Sequence, residues 1–327
     1  MMRQVRWGIL GAGKVARRFA ADLNRTDGAR LVAVGSLSAE RGRSFADELR
    51  IGRFYAGYEE LVNDPEIDVV YVATRNPTHA AACRLALMAD KAVLCEKPFA
   101  INRRELEAVV HLARARRRFL MEAMWTRFFP VMARVRDWMG NRVIGDLRLI
   151  TADFGFLADA PPDGRLLAPG WGGGALLDVG VYLVSLCSMF LGTPNRIASL
   201  ACLGTTGVDE QCGLVLGHPG GRLAILSASL QANTPREAWI VGAQARIRIH
   251  CPLWKPHTVS LVRDDLEPEV AHLPYAGHGY QFEIAEVMRC WREGRLESDL
   301  MPLDESLAIL GTLDALRAQW GLKYPGE

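Results

Sequence analysis

Val5-Arg6-Trp7-Gly8-Ile9-Leu10-Gly11-Ala12-Gly13-Lys14-Val15-Ala16 is the stretch on which the fold turns. Val5 to Leu10 is strand-like and ends on a glycine. A helical pattern follows at once: between Lys14 and Asn24, residues Val15, Phe19 and Leu23 recur four apart and share one face. The junction has the GxGxxA form of the dinucleotide fingerprint. Gly11 allows the tight turn, Gly13 lets the backbone approach a pyrophosphate, and Ala16 permits close packing of helix on strand. A pyrophosphate there meets unpaired backbone N–H groups and the positive end of the helix. Glycines in any strand-to-helix turn can imitate the motif, but here a strand precedes it and a helix follows, as cofactor binding requires.

Working outward, the same alternation continues to residue 125. Strands are expected at Leu31 to Ser36, Asp68 to Ala73, Ala92 to Cys95 and Arg118 to Ala123. Helices are expected at Ala39 to Leu49, Thr78 to Ala89 and Asn102 to Arg116, the last with Asn102 as N-cap and Glu105 three residues on. Strands alternating with helices imply parallel strands joined by right-handed crossovers. The pattern changes after Trp125. A helix at Phe128 to Met139 and a strand at Gly145 to Phe156 lead into a Pro- and Gly-rich loop, 159–174, and a helix at Ala175 to Phe190. Strands then follow without intervening helices: Ile197 to Leu203, Gln211 to Leu216, Arg222 to Gln231, Ala238 to Val241, Arg246 to His250 and Thr258 to Val262. Two helices, Gly279 to Trp291 and Leu303 to Trp320, close the chain. The expected class is α/β. A Rossmann doubly wound parallel sheet occupies residues 1–124, and an α+β substrate-binding and oligomerisation domain with a large open mixed or antiparallel sheet occupies 125–327.

Composition narrows the function classes. The 327 residues suit two domains, and a net charge of +2 gives no overall bias toward nucleic acid or anionic membrane. The basic run Arg114 to Arg118 reads as the solvated last turn of a helix. No stretch reads as a membrane span or a signal peptide. The cysteines (83, 95, 187, 202, 212, 251 and 290) form no CxxC pair and read as buried reduced thiols of a cytoplasmic protein. The histidines show no metal-binding spacing, and no metal site is expected.

NAD preference calls for an acid at the tip of the second strand, and that region reads Val34-Gly35-Ser36-Leu37-Ser38-Ala39-Glu40-Arg41. With no acid at the tip, Ser36, Ser38 and Arg41 are available to a 2′-phosphate, so NADP is expected, with NAD as the alternative. The competing reading of Arg41 is an exposed residue in the first turn of a helix.

Glu96-Lys97-Pro98 follows the short apolar strand Ala92 to Cys95, at the sheet edge where open α/β sheets bind their ligands. With the N-terminal fingerprint, this segment resembles the Gfo/Idh/MocA oxidoreductase family over nearly the whole chain. The resemblance is nearest to the branch of dimeric dihydrodiol dehydrogenases and NADP-linked D-xylose dehydrogenases. It is carried also by Met121-Glu122-Ala123-Met124-Trp125-Thr126-Arg127-Phe128-Phe129-Pro130, by Gly172-Gly173-Gly174-Ala175-Leu176-Leu177-Asp178-Val179-Gly180-Val181-Tyr182, and by Trp320-Gly321-Leu322-Lys323-Tyr324-Pro325-Gly326-Glu327. The resemblance implies that Lys97 is the catalytic lysine, Pro98 a cis-proline, and Asp178 and Tyr182 the Asp-xxx-Tyr/His pair. It places Thr74, Asn76, Pro77 and His79 at the nicotinamide ribose. Cofactor contacts are further expected from Lys14, Val15, Glu96, Lys97, Trp125 and Arg127. Leu37 is a departure, because the branch often carries Arg at that tip; Arg41 matches a second phosphate arginine.

The chemistry is coherent without the family. Asp178 and Tyr182 stand four apart in a helical pattern and so share a face. A tyrosine serves as general acid or base when a nearby ammonium stabilises its phenolate. Lys97 supplies that charge, and Asp178 orients Lys97 or the substrate hydroxyl. Taken singly, Tyr182 also reads as a helix aromatic, Asp178 as a helix N-terminal acid and Lys97 as a loop lysine. Trp125, Phe154, Phe156, Trp171 and Tyr182 are expected to line the substrate pocket, although core packing is the default for any one aromatic. The resemblance implies a ring bearing adjacent hydroxyls, either a pyranose such as D-xylose or a cyclic trans-dihydrodiol. Two rivals stand beside this reading: a non-catalytic NADP(H)-binding sensor, and a nucleotide-sugar or inositol dehydrogenase. Apolar residues on both alternations, as in Leu223-Ala224-Ile225-Leu226, predict a sheet face that pairs with a second copy in a homodimer.

Overall fold

The computed structural model describes residues 3–327. Its elements run β1 (Val5–Leu10), α1 (Lys14–Leu23), β2 (Ala29–Gly35), α2 (Ala39–Glu48), β3 (Arg53–Tyr55), α3 (Glu59–Val62), β4 (Val69–Val72), α4 (His79–Met88), β5 (Ala92–Glu96), α5 (Arg103–Arg116) and β6 (Leu120–Ala123). There follow α6 (Pro130–Gly140), β7 (Leu147–Gly155), α7 (Val181–Leu191), β8 (Arg196–Leu203), β9 (Asp209–His218), β10 (Arg222–Ser229), β11 (Ala238–Gly242), β12 (Arg246–Ile249), β13 (Thr258–Arg263), β14 (Leu266–His272), α8 (Gln281–Arg292) and α9 (Leu303–Trp320).

The chain divides into two compact units, 1–125 with 276–307, and 126–275 with 308–327. The sequence reading assigns everything after 124 to one domain. The packing instead returns 276–307 to the first unit, because buried polar groups anchor it there. Asp22 of α1 accepts hydrogen bonds from the backbone N–H groups of His278 and Tyr280. Ser306 donates to the buried Glu122 carboxylate at 2.8 Å.

In the first unit the strands pair in the order β3-β2-β1-β4-β5-β6, all parallel. This is the doubly wound order whose switch point lies between β1 and β4. Strands β1 and β4 read almost wholly buried, as expected of a parallel sheet covered on both faces. Asn102 caps α5 by accepting from the Glu105 N–H at 2.9 Å, and Ser38 caps α2. The basic run is paired rather than merely solvated: Arg114 faces Glu297 and Asp304, while Arg116 and Arg118 face Asp90.

The second unit is built on the sheet β14-β13-β12-β11-β7-β10-β9-β8. Only β7 and β10 pair parallel; the other pairs are antiparallel. Strands β9 and β10 alternate buried and exposed, so one face packs inward, against α7 among others, and the other points out. The helix expected from Ala175 to Phe190 forms, with a change of winding in its first turns. Leu176–Gly180 winds as a wider π-type turn, and α7 begins only at Val181. The stretch Pro169–Leu191 is long and apolar enough to cross a bilayer, against the sequence reading, and most of its apolar part is buried inside the protein. Cys202 and Cys251 are exposed, unlike the other thiols and contrary to expectation, because they lie on an exposed strand position and in a loop.

Candidate active site

The glycine turn lies at the switch point. Gly11 has φ +103°, and a Cβ there would sit 2.4 Å from the Ala73 carbonyl oxygen, so only glycine fits where the loops after β1 and β4 meet. Gly13 differs: its φ is −93°, and a Cβ would find nothing within 4 Å. The protein itself does not require glycine there, and the open space fits a pyrophosphate drawn close to the backbone. Gly13 is also the N-cap of α1, which has no side-chain cap bond and no acid in its first turn. The helix N-terminus therefore keeps its N–H groups and partial positive charge for an anion. Lys14 and Val15, which open α1, are both exposed.

At the tip of β2, Leu37 is 77% exposed, whereas Ser36 is buried. The Ser36 hydroxyl donates to the Ser38 carbonyl and accepts from the Ser38 N–H. Both bonds close its own turn. Arg41 is exposed on α2. Burial pushes the Tyr58 phenol up, and the positive charges of Arg41 and Arg75 pull against that rise. The charges of Arg41 and Arg75 thus both act on Tyr58.

Thr74, Asn76 and Pro77 lie half-buried in the loop after β4, with Asn76–Thr78 forming a 3₁₀ turn. His79 is fully enclosed at 1% exposure. Its Nδ1 lies 2.8 Å from the Pro98 carbonyl and its Nε2 3.3 Å from the Thr74 carbonyl. Burial lowers its pKa, with the nearby Lys97 charge also lowering it. A neutral ring has one N–H, and the shorter contact assigns it to Nδ1. His79 thus donates to the Lys97 loop through the Pro98 carbonyl and lies against the Thr74 loop.

The Lys97–Pro98 peptide is cis. Beside it, the Glu96 carboxylate accepts from the Tyr71 hydroxyl at 2.5 Å and from the Lys97 N–H at 3.2 Å. Tyr71 is fully buried and stacked on Phe19, with ring centroids 3.6 Å apart. Trp125 is half-buried and stacked on Tyr280 at 4.6 Å.

In the second unit, Tyr182 sits in the first turn of α7 at 8% exposure. Asp178 lies on the π-type turn before it, and such bulges are frequent at functional sites. Arg165 of the glycine-rich loop donates to Asp178 at 2.6 Å. Phe154 packs 5.7 Å from the Tyr182 ring and stacks on Trp254 at 4.1 Å, with Arg236 over the Trp254 ring. Phe156 and Trp171 are half-buried. Arg127, expected at the cofactor, is instead 2% exposed and donates to the Ser185 hydroxyl and carbonyl on α7. A guanidinium so enclosed needs such fixed acceptors. Arg165, Trp254 and Arg236 come from loops and a strand end, which carry no periodic signal. Among the described residues, no group of three His, Cys, Asp or Glu side chains is placed to hold a metal ion.

A parallel sheet in doubly wound order with a glycine turn at its switch point is the architecture of a dinucleotide-binding domain. Residues 5–124 match the model of the oxidoreductase family with NAD-binding Rossmann fold, and 132–251 match the GFO/IDH/MocA C-terminal domain. The chain belongs to the Gfo/Idh/MocA oxidoreductase family. It is 36% identical to the trans-1,2-dihydrobenzene-1,2-diol dehydrogenase of Mus musculus and 37% identical to that of Danio rerio, covering 98–99% of each chain. Among solved structures it is similar to KijD10, a 3-ketoreductase from Actinomadura kijaniata in complex with NADP and TDP-benzene. The identity is 26%, the TM-score 0.86, and the coverage 97% of this chain and 98% of that one.

Proposed function

We propose that this enzyme is an NADP(H)-dependent dehydrogenase acting on a hydroxyl of a cyclic substrate, a pyranose or a trans-dihydrodiol. The observation that carries the reading is the Tyr182 phenol, held at the head of α7 beside the Phe154 ring, which stacks in turn on Trp254. Aromatic walls suit a flat or cyclic ring, and a phenol can take or return the hydroxyl proton. Similarity to dihydrodiol dehydrogenases supports the substrate class. Gly11, Gly13 and the start of α1 would hold the pyrophosphate, and Arg41 with Arg75 the 2′-phosphate. The ketoreductase solved with NADP supports that choice. When bound, the cofactor supplies the nicotinamide carbon that accepts or donates hydride. Lys97 contributes the positive charge that favours a phenolate or alkoxide, and Asp178, paired with Arg165, orients the polar groups around the hydroxyl. The exposed apolar residues of the second sheet, Leu200, Val215, Leu223 and Ile225, are assigned to self-association.

Tyr182→Phe keeps the ring and its packing and removes only the proton. It is expected to lower kcat by about 10²–10⁴, the usual worth of general acid–base catalysis, with NADP(H) affinity nearly unchanged. Screening NADP⁺ reduction against pentoses, hexoses, inositols and cyclic diols supplies the substrate for that measurement. Near-normal turnover by Tyr182→Phe would mean that another group carries the proton. Tight NADP(H) binding with no turnover of any substrate would favour a sensor.

A further inference from the structure

The segment 320–327 is conspicuous in the sequence, and the proposed chemistry gives it no task. In the structure it returns to the glycine turn that precedes Asp178. Arg317 of α9 has a side chain only 4% exposed. It donates to both carboxylate oxygens of Glu327, at 2.6 and 2.9 Å, and to Asp314 at 2.7 Å. Glu327 also accepts from the Tyr324 N–H at 2.8 Å, and the guanidinium lies 5.0 Å above the centre of the Tyr324 ring. The Tyr324 ring is thereby fixed, and its hydroxyl donates to the Gly173 carbonyl at 2.5 Å. Burial pushes the phenol well up, so it stays a donor.

The turn it touches has no slack. A Cβ on Gly173 would meet the Leu166 carbonyl oxygen at 2.7 Å. Gly174 has φ +115°, and a Cβ there would fall 2.3 Å from Asp209 Oδ1. The other oxygen of Asp209 accepts from the Leu176 N–H at 2.6 Å, at the first residue of the π-type turn. The Asp178 N–H in turn donates to the Gly174 carbonyl at 3.1 Å. A chain of bonds therefore runs from Glu327 through Arg317 and Tyr324 to Gly173, then through Gly174 to Asp178, with Tyr182 one turn further on. Apolar side chains would fill the same space. A buried polar network instead specifies one geometry, because each of its members is costly to leave unpaired.

We infer that Arg317, Tyr324 and Glu327 form a latch that fixes the Gly172–Gly174 turn and through it sets the position of the Asp178–Tyr182 segment. Tyr324 and Arg317 are then positioning residues for the phenol. The inference rests on the reading of Tyr182 as proton carrier. The test is Tyr324→Phe, which keeps the ring under the guanidinium and removes one hydroxyl, together with Arg317→Met and Arg317→Lys. In Tyr324→Phe, kcat is expected to fall tenfold or more, while KM and the Kd for NADPH, read by fluorescence titration, stay within twofold. Backbone amides of 174–178 are expected to exchange hydrogen at least tenfold faster. Arg317→Lys should recover part of what Arg317→Met loses. If Arg317→Met does not fold, Tyr324→Phe decides alone. Wild-type kcat in Tyr324→Phe, or unchanged exchange at 174–178, would overturn the latch. Full turnover in Tyr182→Phe would instead sink the proton-carrier reading, and the exchange rates, which need no substrate, would still report on the latch.

Discussion

The two sheets use their side chains in opposite ways. In the parallel sheet, β1 and β4 bury nearly every residue, so neither face is left to meet anything outside the unit. Its chemistry-bearing groups gather where strands end: the glycine turn after β1, the Thr74 loop after β4, and Glu96 and Lys97 after β5. In the larger sheet, β9 and β10 alternate, and the outward positions include the exposed apolar residues Val215, Leu223 and Ile225 beside Gln211 and Ser227. Ala198, Val215, Ile225, Thr151 and Trp239 form one row across five strands. A sheet closed on both faces offers ligands only its ends, whereas a sheet closed on one face has a surface left over for a partner.

That contrast can be broken most directly at Ile225, which is 48% exposed in the middle of the row. Ile225→Asp would place an unpaired charge in the proposed interface. It is expected to turn the assembly into monomers at micromolar concentration by light scattering, with unchanged far-UV circular dichroism. A wild-type protein that is already monomeric would remove the contrast. A smaller effect is expected on α2, the helix that follows β2 of the parallel sheet. Arg41→Ala should weaken NADP(H) by about 1–3 kcal/mol, the scale of a charge-assisted hydrogen bond, and leave NAD(H) nearly unchanged. Equal losses for both cofactors would show that Arg41 does not read the 2′-phosphate.

The smallest effect concerns the cover of the parallel sheet. Glu283 of α8 is fully buried, neither carboxyl oxygen has a hydrogen-bond partner in the protein, and burial, with the Glu96 charge adding to it, raises its pKa well above 4.5. The folded chain therefore holds a proton that the unfolded chain has lost above about pH 5, and stability falls as pH rises through that window. Glu283→Gln removes the linkage. Its melting temperature should match wild type near pH 4 and exceed it increasingly toward pH 8, by about 2–4 °C for each kcal/mol relieved. A pH-independent difference would mean that Glu283 is ionised in the fold.

The parallel sheet is legible in the sequence because buried strands read as short apolar runs and the fingerprint fixes where the first one ends. β3 and α3 escape that reading, since three half-buried residues and one helical turn leave no period to detect. β14 escapes for another reason: Leu-Glu-Pro-Glu-Val-Ala-His is exposed almost throughout and contains a proline, which an edge strand tolerates. Among the candidate residues, Gly11 and Lys97 of the first unit and Asp178 and Tyr182 of the second come from motifs that stay contiguous in the chain. Arg165 and Trp254 are not, because only folding brings their loops beside Asp178 and Phe154. The winding of Leu176–Gly180 is equally hidden, since a π-type turn and an α-helix share one apolar pattern.

The hydrogen bond from the Tyr280 N–H to Asp22 spans 258 positions of chain. On a ribosome adding about 5–20 residues per second, Asp22 waits on the order of 10–50 s for its partner. During that interval the nascent nucleotide-binding fold lacks α8, and the side of α1 that this helix covers stays open. The polypeptide between those positions must emerge, and can condense, before the fold that came first is finished. Holding chaperones would have their longest opportunity in that interval, and a ribosome stalled before codon 276 would display a dinucleotide-binding core still missing one of its covering helices.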